Sequence, residues 1–479
     1  MSMDTQYNYK IVKYFMIASV SWAFIAMLIG VILAAQLYWP ALNLNSEYFQ
    51  FGRLRPLHTN GVIFGFVVNL LMGTSFYIVQ RTCKTPLYNN TAAWSVFWGW
   101  QFVLLLALIT LPLGFTTSKE YAELEWPIDI LIAVIWVMYA IVFFMTVAKR
   151  TVHHIFVANW FYGAFIIVIA MIFIANNLEL PVTMWKSYSI YSGAEDAIVQ
   201  WWWGHNAVGF LLTAGIIGMN YYFIPKVAER PIYSYRLSVI HFWGLVGFYT
   251  WAGTHHLIYS SVPDWLQNLG IVMSLILWLP SWGGAFNSIM TLLNNKQKLK
   301  HDYIMWFFFS AIVYYALATF EGPLLAIRWF NMIAHNTDWI IGHVHSGALG
   351  WVGMSAIAVF YYFIPRLYGH EQLWSNRLVK WHFWFAHIGI VLYAVALWIA
   401  GIGQGYMWLK EDSNGSLSYS FVEAMNFSAP WMLVRFIGGA LFVLGIVLMI
   451  YNLYRTLKQP KPRSVKHQNA ATEKVDTHD

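Results

Sequence analysis

The sequence predicts an all-α, polytopic membrane protein with twelve transmembrane helices in one bundle. Three observations predict it. Apolar residues make up 59% of the 479-residue chain and charged residues only 10%, with a mean hydropathy of +0.54. Apolar runs of about twenty residues recur from end to end, each long enough to cross a hydrocarbon core of roughly 30 Å. Lys and Arg collect in alternate connections between those runs. A chain in lipid must satisfy its own backbone polar groups, so the runs are read as helices.

Taken in order, the spans are expected over residues 12–37, 58–80, 93–115, 127–149, 154–178, 200–224, 237–261, 267–293, 304–327, 339–365, 378–402 and 430–456. The first begins after Lys13 and is full length, so it reads as a span and not as a cleavable signal. Residues 1–458 then form one membrane domain, and 459–479 a polar, charged tail expected to be disordered. No soluble domain, phosphate-binding glycine loop or strong internal repeat stands out. All Lys and Arg except Arg53, Arg55, Lys119, Lys186, Arg328, Lys410 and Arg435 fall on one side. The positive-inside rule places that side, with both termini, in the cytoplasm. The net charge of +7 is therefore a membrane signal and gives no reason to expect nucleic acid. A single cysteine, Cys83, excludes an internal disulfide, a Cys-rich metal site and covalent haem attachment through C-x-x-C-H.

Sixteen histidines are many for so apolar a chain. Polar residues within a membrane are costly and are functional candidates by default. Interhelical hydrogen bonding is the ordinary alternative for any one of them. Their placement favours function. His58, His205, His343 and His345 come early in spans 2, 6 and 10, which enter from the outer side. His255 and His256 come late in span 7, which leaves there. All six fall at similar depth, as a metal-bearing layer would require.

Adjacent helical residues differ by about 100°, so His255 and His256 can flank one ion, with His205 as a third imidazole. Three imidazoles leave an open position, which suits a reactive copper. His343 and His345 lie about 200° apart and point to opposite sides of span 10, each able to hold a different haem. His58 supplies a second axial ligand to one of these. A bis-histidine haem carries electrons, whereas a mono-histidine haem keeps a face for a gas ligand.

Trp203-Gly204-His205, Gly253-Thr254-His255-His256 and His335-Asn336-Thr337-Asp338…His343-Val344-His345 resemble the haem–copper oxidase superfamily, and the resemblance covers all twelve spans. It implies a bundle around two haems and a copper. His58 and His345 then hold the low-spin haem b, His343 the high-spin haem b, and His205, His255 and His256 the copper. Four residues after the copper histidine of span 6, mainstream members carry a cross-linked tyrosine and nitric oxide reductases a glutamate. Here the position is Gly209, and Ala207 replaces a nearby glutamate. Tyr249 lies seven residues before His256, nearly two helical turns, on the same face. This is similar to the cbb3-type cytochrome c oxidases, whose cross-linked tyrosine comes from span 7.

The same resemblance implies four-electron reduction of dioxygen to water, coupled to proton translocation, in a bacterial inner membrane. Electrons would come from soluble cytochrome c through membrane-anchored mono-haem and di-haem cytochrome c subunits. Ser238 lies on the face of Tyr249 with His241 between them. With Thr213, Tyr221 and Tyr222 these make a candidate proton path. Glu321, a lone carboxylate in Phe320-Glu321-Gly322-Pro323, is expected by resemblance to hydrogen-bond His343, as metal-ligating histidines require of their second nitrogen. Arg55, Arg435, His335, Asn331 and Asp338 are candidates for the haem propionates. The acidic connection 120–125 offers oxygen ligands suited to calcium, with Glu120 and Glu123 as candidates. His153, His154, His382 and His387 are read as structural. A nitric oxide reductase expects a glutamate near Gly209, and a transporter has no use for six histidines at one level.

Overall fold

The computed structural model describes residues 7–460. The tail expected over 459–479 lies outside the described residues beyond Pro460. The chain runs up and down through long helices: α1 Tyr9–Tyr38, α2 Phe51–Cys83, α3 Asn90–Leu113, α4 Trp126–Ala148, α5 Val157–Asn176, α6 Gly193–Ala228, α7 Tyr235–Tyr249, α8 Asp264–Leu293, α9 Tyr303–Ala326, α10 Asp338–Leu367, α11 Asn376–Leu409 and α12 Phe421–Leu457. Eleven of these are long and apolar enough to cross a membrane.

The exception corrects an expectation. Span 7 is not a helix over 237–261. α7 ends at Tyr249 after 15 residues, and Ala252–Leu257 forms a tight 3₁₀ turn. Close packing explains the break. A Cβ on Gly253 would meet the Trp201 carbonyl oxygen at 2.4 Å, so the chain after α7 is pressed against α6. The all-helical expectation also missed a two-stranded hairpin between α5 and α6, with β1 Glu179–Thr183 antiparallel to β2 Lys186–Ser189.

Three helices change pitch at the same level. π-helical turns occupy Gly61–Val67 in α2, Ala207–Gly215 in α6 and Ser346–Gly353 in α10. Each begins within three residues after His58, His205 or His345. Such turns often mark functional sites, because the wider i→i+5 pitch re-aims the side chains beyond them.

The structure also exposes a repeat that sequence reading passed over. Tyr221-Tyr222-Phe223-Ile224-Pro225 ends α6 as Tyr361-Tyr362-Phe363-Ile364-Pro365 ends α10. Ser234 caps α7 and Ser375 caps α11. The Ser234 N–H donates to Asn287 of α8 at 2.8 Å, and the Ser375 N–H to Asn452 of α12 at 3.1 Å. One residue earlier, Tyr233 and Trp374 donate to Thr291 and Thr456 at 3.0 and 2.9 Å. These bonds pin the start of one helix to the end of the next and give partners to the backbone N–H groups that precede each helix.

Candidate metal centre

Neutral imidazole can ligate a metal only through a nitrogen that carries no proton, so the partner of the other nitrogen decides the site. His58 Nδ1 donates to the Ala26 carbonyl at 2.7 Å, and His345 Nδ1 to the Ile341 carbonyl at 2.8 Å. His343 Nδ1 donates to the buried Glu321 carboxylate at 3.0 Å, and Ser346 donates to the same oxygen at 2.7 Å. Carbonyls and carboxylates only accept here, so all three rings keep Nε2 as a lone-pair donor, the state that suits an axial haem ligand. A glycine makes room for one ring: a Cβ on Gly30 would lie 2.5 Å from His58 Cε1. The opposed directions expected for His343 and His345 hold. His343 faces Glu321 and stacks beside Trp339, whereas His345 stacks on Tyr393 with centroids 4.5 Å apart.

His205, His255 and His256 converge so that one ligand atom from each lies within 4.8 Å of the others. His205 Nδ1 and His256 Nε2 are 3.2 Å apart. Two nitrogens each about 2.0–2.1 Å from one tetrahedral ion would be separated by about 3.3 Å. The donor set and its spacing therefore fit a copper. His256 stacks flat on Trp201 at 4.0 Å. Because the chain is not helical at residues 252–257, the 100° argument for the His255–His256 pair does not apply. Their rings are 4.4 Å apart because the turn presents both to one side.

Tyr249 stacks on His205 with centroids 4.8 Å apart and planes at 27°. Its ring occupies the space above Gly209: a Cβ there would lie 2.1 Å from Tyr249 Cε1. The glycine and the tyrosine are thus two halves of one arrangement, in which a ring from α7 takes the place that a side chain at 209 would fill. His205 Nε2 is buried without a hydrogen-bond partner.

Below Tyr249 a polar file leads away from the histidine layer. Thr213 sits beside the Tyr249 hydroxyl. His241 is bonded at both nitrogens, to Tyr221 at 3.2 Å and to Tyr315 at 3.0 Å. Asn287 Nδ2 donates to Ser238 at 3.1 Å, and Ser238 donates to the Ser234 carbonyl at 3.1 Å. A cavity of 10 Å³, room for about one water, is lined by Asn220, Tyr221, His241, Ser288 and Tyr315. Ser238, His241 and Tyr221 are brought together, and Thr213 lies apart from them beside Tyr249. Tyr222 is not among them: it packs on Tyr77 and Phe223, away from His241. Sequence reading missed Tyr315 and Asn287. Both sit on helices without ligands, and only packing brings them to the file.

The remaining candidates fall at the histidine end. Arg435 is buried and donates to Tyr393 at 2.9 Å, whose hydroxyl is 3.3 Å from His345 Nε2. Arg55 pairs with Glu120 at 2.5 Å. Asn60 donates to one Glu123 oxygen at 2.9 Å, and the other is buried without a partner. Burial pushes the Glu123 carboxyl up to about 7. His335 lies 6.5 Å from His256, ring to ring. Asp338 accepts from Gln404 at 2.6 Å, and Asn331 donates to the Leu325 carbonyl at 2.9 Å. Away from the layer, His153 and His154 are exposed in the α4–α5 connection. His382 bonds Tyr361 at 2.9 Å, and His387 lies 3.4 Å from Tyr314.

Known proteins are similar to this chain along most of its length. Residues 10–441 match the family described as cytochrome c and quinol oxidase polypeptide I. The cbb3-type cytochrome c oxidase subunit CcoN1 of Stutzerimonas stutzeri is 56% identical over 96% of this chain and 97% of that one. Cytochrome c oxidase subunit 1 of Rhodobacter capsulatus is 50% identical over 95% of this chain and 87% of its own. A cryo-electron-microscopy structure of a haem–copper terminal oxidase dimer superposes with a TM-score of 0.74 over 94% of this chain and 85% of the other, at 17% identity, and so shares the fold. The chain belongs to the cytochrome c and quinol oxidase polypeptide I family, as the catalytic subunit of a cbb3-type cytochrome c oxidase, a terminal oxidase that reduces oxygen.

Proposed function

We propose that His58 and His345 hold a low-spin haem b, His343 a high-spin haem b, and His205, His255 and His256 the copper. The observation that carries this is the convergence of three imidazoles within 4.8 Å beside Tyr249, whose ring fills the space over Gly209. When bound, the haems and copper supply a face for dioxygen and the metal-borne electrons for its reduction. The chain supplies the rest. Glu321 accepts from His343 Nδ1–H, and the added electron density makes that ring a stronger donor. Tyr249 is placed to give a proton and the remaining electron. The unpartnered His205 Nε2 is the nitrogen available for a bond to a tyrosine ring carbon, which would form with loss of the N–H and C–H protons and of two electrons taken up by dioxygen. Protons reach Tyr249 through Ser238, Tyr221, His241, Tyr315 and Thr213, from the cytoplasmic side on the positive-inside argument. Electrons arrive from cytochrome c through membrane-anchored mono-haem and di-haem subunits, in a bacterial inner membrane, with proton translocation as the coupled output.

Arg435, His335, Asn331 and Asp338 line the histidine end, where anionic propionates would need them. Arg55 is held there by Glu120. The unpartnered Glu123 oxygen beside that pair gives calcium an oxygen ligand, and Glu120 offers a second.

An optical spectrum with metal analysis of the purified complex tests the assignment. Two b-type haems, one binding carbon monoxide, one copper and one calcium per catalytic chain are expected. Iron in place of copper would overturn it. In Tyr249→Phe, oxygen turnover should be abolished with both haems retained. Full turnover in that variant would remove Tyr249 from the chemistry.

A further inference from the structure

One face of α8 is built against the turn that carries two copper-candidate histidines. Leu266, Gly270 and Ser274 are spaced by four and lie along one side of the helix. The Thr254 hydroxyl donates to the Leu266 carbonyl at 2.7 Å. At Gly270 the backbones touch: a Cβ there would lie 2.4 Å from the His255 nitrogen, so no other residue fits. Ser274 Oγ is 2.6 Å from His255 Nδ1. On the far side of the turn, Gln267 accepts from the Tyr259 N–H at 3.1 Å and donates to the Val262 carbonyl at 2.9 Å.

The hydrogens around Ser274 are determined by counting. The hydroxyl has one hydrogen and two close neighbours, His255 Nδ1 and the Gly270 carbonyl, the latter also at 2.6 Å. The carbonyl can only accept, so the hydrogen goes to it. The alternative would press two oxygen lone pairs together at that distance. Ser274 therefore offers its lone pair to His255, and His255 must carry its proton on Nδ1. Nε2 is then the free lone pair, the form a metal needs.

We infer that Ser274 is a positioning residue for the copper: bonded back to Gly270, it holds His255 in the tautomer and ring orientation that direct Nε2 at the ion. The inference rests on the copper assignment above. Without the hydroxyl, either the buried Nδ1–H loses its acceptor or the proton moves to Nε2 and blocks the ligand atom.

The test uses the assembled oxidase complex with Ser274→Thr and Ser274→Val, which add the same bulk and differ in the hydroxyl. Each is dialysed against graded copper chelator, and copper per haem is measured together with the haem spectrum. Removing the orienting partner should weaken copper retention by about 10–100-fold in the Val variant, with haem content unchanged and the Thr variant close to the parent. Equal copper retention in Thr and Val, whether high or low, overturns the inference. Should the added methyl prevent assembly, Ser274→Ala is read against the parent by the same ratio, and retention equal to the parent's overturns it. A parent complex without copper would instead overturn the copper assignment, a result separate from either.

Discussion

The α6–α7 and α10–α11 hairpins carry the same tyrosine–histidine pair and differ in what meets the histidine's second nitrogen. In the first, His241 holds Tyr221 with one nitrogen and Tyr315 with the other. In the second, His382 holds Tyr361, but its Nε2 is buried without a partner. The His382 ring packs on Phe307, with centroids 5.2 Å apart, and on Gly445, where a Cβ would lie 2.5 Å from His382 Cδ2. Both pairs are made by one motif, YYFIP followed by a serine cap and a histidine seven residues on. The third helix decides what the second nitrogen meets. Tyr315 gives His241 a second hydroxyl partner, whereas Phe307 offers His382 only a hydrocarbon ring. A proton needs an unbroken series of donors and acceptors, so a motif match alone says nothing about conduction.

The comparison can be broken in three places. The largest effect is expected from Tyr315→Phe, which gives His241 the same blank neighbour that His382 has. Oxygen turnover should fall on the order of 10²-fold, the typical cost of losing a positioned proton donor, with both haem spectra unchanged. Turnover at the parent rate would show that protons bypass His241. The paired variants Asn287→Ala and Asn452→Ala come next. Each strands a serine N–H at a helix start, and each should cost about 1–3 kcal/mol, read as a lower midpoint in thermal unfolding of the complex. Only Asn287→Ala should also slow turnover, because Asn287 alone of the two donates into the file through Ser238. Equal slowing by both would make the difference between the hairpins structural and not conductive. The smallest effect belongs to His382→Leu. It removes one interhelical hydrogen bond, worth about 0.6 kcal/mol on average in a membrane, together with an unsatisfied buried nitrogen. Stability should barely move and turnover should stay at the parent value. A strong loss of turnover would make His382 a second proton carrier.

Much of this was legible in the residues, for identifiable reasons. The candidate ligand histidines stand out because imidazole is rare and costly in lipid, and alternating spans give each histidine a depth. Glu321 was found in the same way, as a lone carboxylate at that depth. Tyr249 was selected by helical phase from His256, although the helix that justified the phase stops at Tyr249 itself. Tyr249 nevertheless lies beside the cluster, because it stacks on His205, whose ring is 4.5 Å from that of His255. Tyr222 was misplaced because it neighbours Tyr221 in sequence, whereas adjacent helical residues point about 100° apart and only one can face His241. Tyr315, Asn287 and Ser274 carried no signal, since serine, asparagine and tyrosine are common in membrane helices and gain a role only from what they touch.

From the sequence alone follow the membrane-spanning, all-helical architecture and the placement of six histidines along its apolar runs. These depend on composition and spacing along one chain, which lipid converts directly into depth. Tertiary structure alone decided the break after Tyr249, the π-helical turns behind His58, His205 and His345, the seating of Tyr249 over Gly209 and the hydrogen bonds that set each imidazole's tautomer. Those features arise where two or three helices press together, and the contact partner lies far away in the chain. No periodicity within a single span records it.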